Sequence, residues 1–212
     1  MQTVVFDAYP KVPMEDFIVE LSLEIPELSD DILMHYVRDA AIDFAERSRA
    51  LQREITICLQ PCVPDYILEA PDCVRIVSLH KVKAAGVRAY ADCAGCRQMD
   101  GFQVHWQQPD VLWVKPVPVD AQDITVVVSV APLPDACELD EVLLTRYKEA
   151  LLAGARARLY GLQRRPWTSL VSATEQRKEF DRRIAAAGTD RLLQGRTGRV
   201  RMQTVFNRSR TR

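Results

Sequence analysis

Cys93-Ala94-Gly95-Cys96 places two thiols at a spacing that lets paired thiolates grip one side of a zinc ion or work as a redox couple. A tetrahedral zinc site needs four ligands, and no second close pair lies nearby. Cys58 and Cys62 stand on the far side of a proline-rich stretch, and the chain has only three histidines, His35, His80 and His105. No thioredoxin-like βαβ pattern surrounds the pair, so it reads as a strand-connecting loop with two free thiols. The acid-base inventory is equally thin. His35 falls on the exposed side of a helical pattern, while His80 and His105 lie in strand patterns with no partner that the sequence reveals, as structural histidines do. There is no Gly-x-Ser-x-Gly, no phosphate-binding glycine loop and no His-Glu-x-x-His. The expectation is a protein that is not an enzyme, with no catalytic residue, cofactor or metal.

The other chemistry-bearing segment is the C-terminal end. Arg191, Arg196, Arg199, Arg201, Arg208, Arg210 and Arg212 occur there without one acidic residue. Such an arm attracts phosphate backbones or an acidic protein surface. Val200, Met202, Val205 and Phe206 are interspersed with these arginines, which points to a segment that becomes ordered on a partner.

Charge is divided unevenly along the 212 residues: net −7 over 1–60, −5 over 61–140, +4 over 141–190 and +7 over 191–212. The formal total of −1 therefore describes an acidic body with a basic end. With 48% hydrophobic residues the chain can bury a core and is not a disordered polypeptide. The first residues carry neither a basic n-region nor an apolar h-region, and the most apolar stretch, 124–130, is far short of the ~18 residues a membrane span needs. A soluble protein made in a cytoplasm is expected, with its six cysteines reduced.

The elements follow from periodicity. Ile32, Leu33, Tyr36, Val37, Ala40, Ala41, Phe44 and Ala45 recur at helical spacing and predict a helix over about 29–51, with a short and ambiguous helical stretch over 17–25 before it. From about 54 to 130 the period is two, giving strands over 55–59, 66–68, 74–82, 102–106, 111–114 and 124–130, with a hairpin turn at Gln107-Gln108-Pro109-Asp110. Helical spacing returns from about Glu138 along Leu139, Leu143, Tyr147, Leu151, Ala155 and Leu159, and Gly161 and Pro166 end it. Ala150, Ala153, Gly154 and Ala157 would let another helix approach closely, within the chain or in an oligomer. Trp167 reads as an anchor. Ser172-Ala173-Thr174-Glu175 matches a capping box for a third helix reaching Ala187, capped by Gly188. The fold expected is α+β: a helical bundle of long amphipathic helices with an inserted small antiparallel β-domain and an extended basic C-terminal tail. Its parts would be 1–53, the β-insertion 54–134, a helical hairpin 135–188 and the arm 189–212.

The run Arg38-Asp39-Ala40-Ala41-Ile42-Asp43-Phe44-Ala45-Glu46-Arg47-Ser48 resembles the N-terminal helix of the head-to-tail connector, or adaptor, proteins of tailed bacteriophages. Tyr147 to Ala155, then Arg165-Pro166-Trp167, Phe180 and the alanine-rich 184–187 are similar to that family's second signature. The likeness covers about residues 14–202. It implies a structural virion component of the neck: a ring, usually a dodecamer, that docks on the portal protein, carries the tail tube or nozzle and lets DNA pass through its lumen. The family's C-terminal segment reaches into the portal, a role that would fall here on Arg191, Arg196, Arg199, Val200, Arg201, Met202, Val205 and Phe206. No membrane is involved in that reading. The alternative reading of the basic arm is a cytoplasmic nucleic-acid-binding protein.

Overall fold

The computed structural model describes residues 2–5, 9–70, 73–84, 87–90, 96–99, 102–107, 110–115, 117–118 and 120–194. Two short strands, β1 (Gln2–Val5) and β2 (Lys11–Pro13), precede helices α1 (Glu15–Glu24) and α2 (Asp30–Ser48). A run of strands follows: β3 (Gln52–Leu59), β4 (Asp65–Glu69), β5 (Val74–Ala84), β6 (Val87–Tyr90), β7 (Cys96–Met99), β8 (Phe102–Gln107), β9 (Val111–Lys115) and β10 (Gln122–Pro132). The chain closes with β11 (Glu138–Asp140), α3 (Glu141–Thr145), α4 (Lys148–Tyr160) and α5 (Leu170–Gln194).

Three sheets form. One has the order β1-β4-β9-β8-β7, with β1 parallel to β4 and the other pairs antiparallel; the second is β3-β10-β5-β6; the third is the pair β11-β2. Alternation decides which side chains go inward. In β3 the buried set is Arg53, Ile55, Ile57 and Leu59, and the register sets Ile57 opposite Ile124 and Ile55 opposite Val126. Tyr66 and Leu68 of β4, Val104 of β8, and Leu112 and Val114 of β9 belong to the same core.

The helices pack on one another and α2 lies against β10. α2 buries Leu33, Val37, Ala40, Ala41, Phe44 and Ala45. α1 adds Phe17, Ile18 and Leu21 before Pro26 stops it. Gly154 is where α4 comes closest to its neighbours: a Cβ built there would stand 2.9 Å from the Ala40 Cβ and 2.9 Å from the Phe180 ring. Ion pairs tie the same helices at their rims. Arg156 donates to both Glu24 oxygens at 2.6 and 3.0 Å, Arg158 to Asp43 at 2.9 Å and Arg47 to Asp181 at 2.6 Å. Where β3 leaves α2, Arg53 and Asp140 form a buried ion pair at 2.5 Å, and the guanidinium lies 3.6 Å from the centroid of the Tyr9 ring. Burial pushes the Asp140 carboxyl above its ordinary value, an effect that Arg53 and Lys11 only partly offset.

This architecture corrects the expected fold class. The chain is a mixed α+β protein, not a bundle of long helices: the five helices among the described residues run 10, 19, 5, 13 and 25 residues, and the strands are as structurally central as the helices. Nor are the strands confined to an insertion, since β1, β2 and β11 lie outside 54–134 and β1 joins the larger sheet. The helix expected from Glu138 is divided for the same reason. Leu139 pairs with Val12 in β11, Asp140 turns inward to Arg53, and helical structure starts only at Glu141 and again at Lys148. The last helix runs past Gly188 to Gln194. Its start is set by Ser169, whose Oγ accepts from the Ser172 N–H at 3.3 Å, three residues before the expected cap.

Candidate functional site

Where α2 ends, Arg49 adopts a left-handed conformation (φ 51°), and its N–H donates to the Ala45 carbonyl at 2.9 Å. Glycine usually holds this position. The turn swings the chain into Leu51, whose carbonyl accepts from Val130 at the start of the β3–β10 ladder, and leaves the Arg49 side chain at the corner between helix and sheet. On the sheet side, the β10–β5 register shifts twice, between Val127 and Val128 and between Ser129 and Val130. Ser78 stays opposite Ser129, whereas His80 is the extra residue of one bulge.

These irregularities bring Ser78, His80 and Ser129 together. His80 Nε2 shares hydrogen bonds with Ser129 Oγ at 2.6 Å and Ser78 Oγ at 3.3 Å, and the two hydroxyls are 2.9 Å apart. A serine beside an imidazole is also the arrangement of an activated nucleophile. Here, however, Ser129 is 0% exposed, so its hydroxyl is satisfied by the network and closed to substrate. The partners of His80 were not readable from the sequence, because Ser129 reaches it only through strand pairing.

The end of α5 lies over this corner. Gly188 stands where an added Cβ would be 3.7 Å from the Ser48 carbonyl, and Arg191 follows one turn later. Burial and the neighbouring cations Arg191, Arg49 and Lys81 hold the His80 imidazole down at about 4. Folding therefore keeps His80 neutral while the unfolded chain protonates it near 6.5, so stability rises with pH from about 4 to 6.5 and is lost as pH falls through that window. The full loss, reached below about pH 4, is roughly 3 kcal/mol relative to neutral pH. Urea denaturation at pH 4.5 and 7 should show a smaller pH dependence for His80→Gln than for the parent chain; equal slopes would refute the assignment.

Of the residues expected to dock a partner, Arg191 is described, and Arg196, Arg199, Val200, Arg201, Met202, Val205 and Phe206 lie outside the described residues, as does Cys93. Cys96 opens β7. Among the described residues, Cys58, Cys62, Cys73 and Cys137 are free thiols, and no cluster of His, Cys, Asp and Glu is arranged to hold a metal ion. Ala150, Ala153, Gly154 and Ala157 are buried against helices of their own chain. At Gly154 the small size serves the contact of α4 with Ala40 of α2 and Phe180 of α5.

Trp167 lines a groove of about 500 Å³ at the opposite end of α5, together with Leu28, Ile32, Tyr36, Leu162 and Arg165. Its indole Nε1 is buried without a hydrogen-bond partner among the described residues. Aliphatic side chains surround this end. Val19 and Leu23 on α1 are 55% and 80% exposed, and Leu170 and Val171 at the start of α5 are 68% and 71% exposed. Tyr160 joins the two groups, because its hydroxyl meets Glu24 at 3.2 Å and its carbonyl accepts from the Ser169 N–H at 3.0 Å.

No family model matches this chain, and no curated protein is detectably similar to it. The helical layer thus has an apolar end around Tyr160 and Trp167 and a basic end at Arg49 and Arg191. No helix among the described residues is long and apolar enough to cross a membrane.

Proposed function

We propose that this protein is a structural, non-enzymatic component of the neck of a tailed-phage virion, an adaptor ring built from copies of the chain that docks on the portal protein and carries the tail tube or nozzle. The observation that carries the reading is the set of aliphatic side chains left in water on two helices: Val19 and Leu23 one turn apart on α1, and Leu170 and Val171 at the start of α5. Large aliphatic side chains exposed at this level are candidates for burial in a protein interface, and a ring supplies one on every copy. Gln194, which the arginine-rich segment follows in sequence, stands at the other end of α5. With α5 spanning roughly 37 Å between the two ends, self-association and portal docking would use separate surfaces.

The resemblance of 38–48 and 147–155 to connector sequences supports the same reading. In this arrangement the basic arm orders on the portal and DNA passes through the lumen. The copy number expected from the resemblance is twelve.

Co-sedimentation with portal rings of the same phage tests it, using the intact chain and a chain ending at Gln194. Saturable binding by the first and none by the second is the expected result. Leu23→Glu combined with Leu170→Glu should abolish ring formation while leaving the circular dichroism spectrum unchanged. Binding by neither form, with the intact chain shifting DNA at a log-log salt slope of about −6, would replace this reading by the nucleic-acid-binding one.

A further inference from the structure

Arg49 and Arg191 present an unusual charge arrangement. They come from the ends of two different helices, α2 and α5, which meet where a Cβ on Gly188 would stand 3.7 Å from the Ser48 carbonyl, one residue before Arg49 and one turn before Arg191, and the charges of both are felt at His80. Neither forms an ion pair among the described residues, although almost every other arginine of the helices does. The carboxylates near them are engaged elsewhere: Asp190 accepts from Arg146 at 3.2 Å, and Glu46 pairs with Arg75. Lys81 of β5 adds a third positive charge on the sheet side. Arg191 Nε is buried and has no hydrogen-bond partner among the described residues, and a buried charged donor left unsatisfied is costly.

Two guanidiniums held close without a carboxylate between them repel each other, and an anion placed between them would convert that repulsion into attraction. We propose that Arg49 and Arg191, with the Ser78–His80–Ser129 network beneath them, form a binding site for a phosphate group on the body of the protein. Phosphate is favoured over carboxylate by donor number. Each guanidinium offers a rigid fork of N–H groups, and two forks from different helices suit a tetrahedral oxyanion better than a flat carboxylate. Ser78 is partly exposed at the same place and can add a hydroxyl. The phosphate can belong to a nucleic-acid backbone or be free in solution, and the site does not depend on the ring reading.

His80 reports occupancy, because burial holds its imidazole down first and the two arginines add to that, so an anion between them removes the second contribution and leaves the first. The experiment is an NMR titration of the His80 ring in the full-length protein at fixed ionic strength, with chloride, inorganic phosphate or a short DNA duplex. Inorganic phosphate is expected to raise the His80 midpoint above its starting value of about 4. Arg49→Gln combined with Arg191→Gln should weaken phosphate binding roughly tenfold or more and remove the response. A control Arg182→Gln, whose charge is paired with Glu179 on the outer face of α5, should leave the response intact. A response to the duplex at much lower concentration than to inorganic phosphate identifies a nucleic-acid backbone as the ligand, and the reverse order identifies free phosphate. If the midpoint does not move with either, if it moves equally in the double glutamine variant, or if only a glutamate-rich peptide moves it, the proposal is overturned.

Discussion

Gly154→Val should lower folding stability by about 3 kcal/mol and the melting temperature by roughly 6–12 °C. The first added carbon already stands 2.9 Å from both the Ala40 Cβ and the Phe180 ring, and the two γ-methyls of valine have no space between α2 and α5. Ala40 cannot shrink, so relief must come from sliding α4 away from α2, which also strains the Arg158–Asp43 pair. Gly188→Ala makes the matched control. It lies in the helix interior with its nearest neighbour at 3.7 Å, so alanine there should stabilise by about 0.5–1 kcal/mol. Thermal and urea denaturation of both variants decide the matter. A valine variant melting within 2 °C of the parent would mean that the helices are less closely packed at Gly154 than described.

Removing the two members of the buried ion pair should have unequal effects. Asp140→Ala leaves the Arg53 guanidinium buried, and a guanidinium cannot discharge itself, so a loss of about 3–5 kcal/mol at all pH values is expected. Arg53→Met leaves a carboxyl that can take up a proton. Burial already raises Asp140 above its ordinary value, and without Arg53 it rises further. A carboxyl whose folded midpoint lies above its unfolded one is protonated more readily in the folded state, so stability is retained at low pH and falls as pH climbs from the unfolded to the folded midpoint. Chemical denaturation at pH 5 and pH 8 should therefore show Arg53→Met clearly less stable at pH 8, relative to the parent, than at pH 5. A pH-independent deficit would refute this account of Asp140.

Periodicity located the interior of the long elements and missed what depends on distant partners. The six expected strands all occur, each within a somewhat longer strand, and the hairpin between β8 and β9 forms as the turn residues indicate. α2 begins and ends within a few residues of its expected limits because its apolar stripe is long. β1, β2, β6, β7 and β11 escaped notice because three or four residues are too few to show a period; β7 begins at Cys96, which was expected in a connecting loop, and β1, β2 and β11 exist through pairing with a segment remote in sequence. The capping signals at Ser172 and Gly188 were local matches without tertiary support: Ser169 competes for the first, and the packing of α5 over the end of α2 carries the helix through the second. The small-residue stripe at Ala150, Ala153, Gly154 and Ala157 was legible as a close-packing face, yet nothing in the chain could say that its partners are Ala40 and Phe180. At the basic corner only Arg191 was foreseen. Arg49 is brought there by a left-handed turn and His80 by a bulge, and neither has a sequence signature when the residue is not glycine.

The contact of α2 with α4 has a consequence for synthesis. Arg158 meets Asp43 across 115 residues, and the strands from β3 to β10 are made in between. At ribosomal rates of about 5–20 residues per second, the apolar stripe of α2 waits roughly 6 to 23 seconds for α4 to emerge. Until β10 emerges late in that interval, only α1 can cover it. Nascent chains arrested before α4 should therefore be captured by chaperones that recognise aliphatic helices, and release should coincide with the appearance of Gly154, the residue that lets the two helices close.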